Sequence, residues 1–180
     1  MHSDNDMKIA GDKPSVDVVK NAELSALKNQ ISSEKLKLAQ NWGADVADKF
    51  NKAINENSMG SRESNHEMLE QRRILLSFAA TIGFETLVDD DALGGLAQKH
   101  FLDIVSKQDL KHYISAKDNG AFSFYYLAFR RGTDIERRIG QTFAMLCSHD
   151  GDPIYQELGE ALYCWFLSEI KASAKEQNII

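Results

Sequence analysis

Only two prolines occur in 180 residues, and that scarcity favours long uninterrupted helices, since proline removes a backbone donor and breaks a helix interior. Cysteine is equally sparse: Cys147 and Cys164 cannot build a disulfide framework, and Cys147 with His149 is too short a cluster to hold zinc. Long apolar runs are missing. The longest, Ile74 to Phe84, is interrupted by Ser77, Thr81 and Gly83 and falls well short of the roughly 20 residues that span a bilayer, so no membrane is expected as a partner. Positive charge is not in excess either, with 27 acidic against 21 basic residues and a formal net charge of −6. That balance has the wrong sign for a broad phosphate-binding surface and argues against nucleic acid. The opening Met1-His2-Ser3-Asp4-Asn5-Asp6 has neither the basic region nor the apolar stretch of a secretory signal, which predicts a cytoplasmic protein. No alternating strand pattern, hairpin signal or internal repeat stands out.

What the sequence does contain is helical periodicity. A chain of this length, 43% hydrophobic and 27% charged, can bury one substantial core without a cofactor or metal, and none is expected. Residues 1–13 are polar and aperiodic and read as a disordered leader. Leu24, Leu27, Ile31, Leu38, Trp42, Val46, Phe50 and Ile54 then recur on one helical face, predicting an N-terminal helical arm over 14–57, with a possible bend at Gly43. Asn57-Ser58-Met59-Gly60-Ser61 ends the arm. Beyond it, Ser64 with Glu67 forms a capping-box pattern for a helix to about Val88, and Asp89-Asp90-Asp91 starts another to about Lys107. A short piece, Asp109 to Ala116, precedes one long helix over Ala121 to Ser148. His149-Asp150-Gly151-Asp152-Pro153 is the clearest punctuation, with Asp152 as the cap and Pro153 at the first position of a final helix to about Lys175. The expected fold is therefore all-α, a bundle of five to seven helices over 61–180 with a long N-terminal arm packed on it or reaching to a second subunit. The segments Phe122 to Phe129 and Leu162 to Leu167 are apolar all round, which predicts central positions in the bundle. Folding the last two helices about Gly151 separates the two cysteines by roughly 13 Å along the axis, beyond the roughly 7 Å a disulfide allows, so both are expected as free, buried thiols.

The metal-like patterns are weak. Glu63-x-x-His66 lacks the second pair that a di-iron bundle needs, and it points away from the Met68, Leu75, Ala79, Ile82 stripe. Asp150-Gly151-Asp152 lacks the ligand series of a calcium loop and is explained by turn and cap chemistry. Arg130, Arg131, Arg137 and Arg138 form the most visible basic group, close after an aromatic run, and mark a candidate interaction surface. Asp134, three or four residues from each of them, suggests intrahelical ion pairs instead.

Polar residues inside apolar stripes carry the remaining chemistry. Glu136 falls within the stripe of Tyr125, Phe129, Ile139 and Phe143, with Gly132 and Gly140 a turn on either side to admit a close helix. Arg72 falls within the stripe of Met68, Leu69, Leu75, Leu76 and Ala79, and His100 lies at the edge of the stripe of Leu93, Leu96, Ala97 and Ile104. A lone buried charge is costly, so Arg72 and Glu136 are expected to pair and fix helix register, or else to line a polar ligand pocket with His100. The favoured function is a non-catalytic protein-interaction or regulatory module, binding a partner or a second copy through the N-terminal arm. The rival is a small-ligand binder or enzyme built around Arg72, His100 and Glu136.

Overall fold

The computed structural model describes residues 32–55, 66–108 and 120–180. The chain divides into two compact units, Met1–Ser33 and Glu34–Ile180. Six α-helices and no strand occur among the described residues: α1 (Ser33–Asn55), α2 (His66–Thr86), α3 (Asp91–Gln108), α4 (Ala121–Arg130), α5 (Ile135–Leu146) and α6 (Pro153–Glu176). The fold is an all-α helical bundle. The leader, residues 14–31 of the expected arm and the short helix over 109–116 lie outside the described residues.

Helix starts follow local capping. The Asp90 carboxylate accepts from the Leu93 backbone N–H at 3.2 Å and opens α3, and Asp152 accepts from Ile154 N–H at 2.9 Å with Pro153 in the first turn of α6. The core is built where α5 and α6 fold back on each other and α2 lies across α6. Gly140 lets α5 close on α6, since a Cβ there would meet the Gln156 carbonyl oxygen. Phe78 on α2 gathers the core aromatics, stacking with Tyr125 at 5.3 Å and meeting Tyr126 edge-on at 5.1 Å.

The second half of the expected arm is α1, and it belongs to the same unit as the bundle. Its apolar face, Ala39, Trp42, Val46, Ala47, Phe50 and Ala53, is buried in the common core. Gly43 does not bend α1; its missing side chain makes room for the Ala97 carbonyl oxygen of α3. The apolar stripe from Ala39 onward is thus covered by the body itself, the arrangement of an arm packed on the bundle.

The long helix expected over 121–148 is two helices. Gly132 (φ 75°) and Asp134 (φ 50°) both take left-handed backbone, which glycine adopts freely and aspartate tolerates better than most residues. The Gly132 N–H still bonds the Phe129 carbonyl at 3.3 Å, closing α4, and α5 begins afresh at Ile135. The helical phase therefore restarts between the two, and every side chain after residue 134 points elsewhere than a continuous helix would send it.

Candidate functional site

That restart decides the fate of Glu136. It is exposed in the first turn of α5, where a carboxylate interacts favourably with the helix N-terminus. Arg72 is half-buried on α2, and burial lowers its pKa from the usual guanidinium value. No ion pair joins it to Glu136 among the described residues. His100 is half-buried on α3 and packs its Cβ against α1 beside Gly43. The three residues stand on separate helices, and neither groove described below includes any of them. Glu136 thus stands on the surface and not among the buried residues. Glu136 acts locally: after burial, its charge is the second influence that pushes the Tyr163 hydroxyl up to about 12.

The metal-like patterns gain nothing. Among the described residues no group of three or more His, Cys, Asp or Glu side chains could hold a metal ion. Glu63 lies outside the described residues. Both cysteines are free thiols, but only Cys147 is buried; Cys164 is exposed, contrary to expectation, because it sits on the flank of α6 turned from the core.

The arginine group behaves differently from its sequence reading. With Asp134 displaced into the α4–α5 elbow, the intrahelical pairing geometry is gone. Among the described residues none of the four arginines makes an ion pair, and all but the half-buried Arg138 are exposed. Arg138 donates Nε–H to the Thr133 carbonyl at 2.8 Å, which braces the elbow and leaves its other guanidinium donors outward.

The elbow brings Arg131 and Arg138 to one groove of about 360 Å³, with Phe124, Leu127, Ala128, Gln141, Thr142, Met145 and Asp150 completing the lining. Arg130 and Arg137 sit roughly 100° around their helices from those two and do not line it. Its apolar floor is unusually open to solvent: Leu127 is 60% exposed, Phe124 46% and Met145 40%. The all-round apolar α4 is therefore not central. One face, Ala121, Tyr125 and Ala128, is buried, while Phe124 and Leu127 project into the groove. The sequence singles out the arginines and the aromatic run that holds Phe124 but not Leu127 or Met145; the available signal is the surplus of apolar residues on α4 over what one buried face needs. A second groove on α3, lined by Gly95, Gln98, Lys99, Leu102, Asp103 and Ser106, is more polar and has no comparable apolar floor.

Among the described residues no helix is long and apolar enough to cross a membrane. No protein-family model matches the chain, and no curated protein or solved structure matches it.

Proposed function

We propose that the chain is a non-catalytic interaction module whose α4–α5 elbow receives an amphipathic, acidic helical segment of another protein. Apolar side chains of that segment would cover Phe124, Leu127 and Met145, and its carboxylates would meet Arg131 and Arg138. The carrying observation is the pairing of exposed apolar side chains with two arginines that make no ion pair among the described residues. Exposed apolar residues rimmed by charge mark interaction sites, and arginine binds carboxylates in a fork that fixes orientation. Asp150 on the same rim confines the carboxylates to the arginine side. Two free thiols suit a reducing compartment, so the module is proposed to act in the cytoplasm.

The test is fluorescence anisotropy with the full chain and a labelled helical peptide carrying leucine at helical spacing and glutamate on both flanks. The peptide should bind at low salt and weaken as salt rises. Arg131→Glu combined with Arg138→Glu should reduce affinity by about tenfold or more, while a peptide with lysine in place of glutamate should bind poorly. Equal binding of the two peptides, or indifference to the double variant, rejects the reading.

A further inference from the structure

Helix α6 carries a second apolar surface on the side opposite its core contacts. Its buried residues are Gly159, Tyr163, Phe166, Ile170, Ser173 and Ala174. At 100° per residue, Ile154, Leu158, Ala161, Trp165, Ser168 and Ala172 share the reverse face, and all six are exposed. Ile154 is 72% exposed and Trp165 42%, in the position where a surface helix ordinarily places charge. The charged residues instead flank the stripe. Glu157 lies toward the start of one flank and Lys171 and Lys175 toward its end, with Cys164 between them. None of these three charges makes an ion pair within the described chain.

The order of sizes and charges along this face is self-complementary in only one direction. Laid antiparallel against a second copy about a point near Tyr163, Ile154 faces the second copy's Ala172, Leu158 faces its Ser168, and Ala161 faces its Trp165. Each bulky side chain thus meets a small one. The same register brings Glu157 beside the second copy's Lys171 and sets the two Cys164 thiols on the same edge. A parallel arrangement would stack Trp165 on Trp165 and place Lys171 and Glu157 of the two copies on opposite edges, out of reach of each other. We propose that α6 is the self-association surface of this protein, pairing antiparallel with α6 of a second copy in a two-fold dimer. A stripe one helix wide buries less than the roughly 800 Å² per partner of a standard stable interface, so the dimer is concentration-dependent. It uses a different helix face from the peptide groove and stands independently of it.

Sedimentation of the full chain across a wide concentration range tests this, together with charge exchange. Ile154→Glu, at the most exposed large apolar residue of the stripe, should weaken dimerisation by at least about tenfold without loss of folding. Glu157→Lys alone and Lys171→Glu alone should each weaken it by placing like charges together, and the double exchange should restore it. A short bismaleimide should link the unmodified chain through Cys164. A monomer at about millimolar concentration overturns the proposal, because even a weak dimer would be visible there. So does a dimer indifferent to Ile154→Glu, which would be using another face, or one that the charge exchange fails to rescue, which would not be antiparallel.

Discussion

Trp42 of α1 donates its indole N–H to the Ile170 carbonyl of α6 at 3.4 Å, while its fully buried ring meets Phe84 of α2 edge-on at 4.7 Å. One residue thereby ties three helices together. Trp42→Ala is expected to cost about 3–5 kcal/mol, the range for emptying a large aromatic site, and Trp42→Phe clearly less because the hydrogen bond is long. Urea unfolding of the two variants checks this. A loss below about 1 kcal/mol for the alanine variant would mean that α1 is not integral to the core.

Among the described residues two buried hydroxyls have no hydrogen-bond partner, Tyr125 Oη and Ser173 Oγ. Burial, and after it the nearby Cys147 thiol, hold the Tyr125 hydroxyl well above the usual phenol range. Removing an unmatched buried hydroxyl abolishes a desolvation penalty rather than a bond. Tyr125→Phe and Ser173→Ala should therefore leave stability unchanged or raise it by roughly 1 kcal/mol each, the serine variant also gaining helix propensity. A loss above about 1 kcal/mol in either would show that the hydroxyl is satisfied in solution, for instance by water.

These core features were only partly legible in the sequence, and the division follows how local the governing physics is. The starts of α3 and α6 were readable because Asp90 and Asp152 cap through hydrogen bonds to residues two or three positions away. The break at Gly132 to Asp134 was not: a glycine and an aspartate among arginines read equally well as the wet face of a continuous helix, and only the backbone angles separate the cases. From that one break follow the outward turn of Glu136 and the loss of arginine pairing by Asp134. Periodicity also cannot say which side of an all-round apolar helix the body will cover. Leu127 and Trp165 lie in segments whose all-round apolarity predicts a central place, yet both stand exposed, and that uncovered surface supports both the groove and the α6 stripe.

The adjacent glycines of α3 should respond oppositely to the same substitution. A Cβ at Gly94 would fall against the Phe84 carbonyl oxygen and within 3.2 Å of Val88, whereas one at Gly95 meets nothing within 4 Å. Gly95→Ala should stabilise by about 0.8–1 kcal/mol, the helix-propensity difference between the two residues. Gly94→Ala gains the same propensity but must move backbone, and overpacking of that kind costs typically about 1–3 kcal/mol. Thermal melts of the two variants should shift in opposite directions; shifts of the same sign would mean that the α2–α3 connection yields to the extra carbon.

The cysteines predict how stability responds to alkali. Burial, aided by the nearby Glu67 charge, pushes the Cys147 thiol up to about 12 from an ordinary 9.0. The folded chain thus favours the protonated thiol, and a raised folded value contributes stability that is full below the unfolded value and lost as pH climbs from about 9 to about 12. Tyr125, Tyr126 and Tyr163 are raised as well and act in the same direction at higher pH. Urea midpoints should therefore hold steady to about pH 8 and fall beyond it, with a shallower early fall in Cys147→Ala, where the more exposed Cys164 thiol and the tyrosines remain to titrate. In the native chain Ellman's reagent should modify Cys164 alone, and slowly near neutral pH, since burial and the charges of Glu136 and Glu160 raise that thiol too. Rapid modification of both thiols under native conditions, or identical pH slopes for the two proteins, would remove Cys147 from the closed core that this dependence requires.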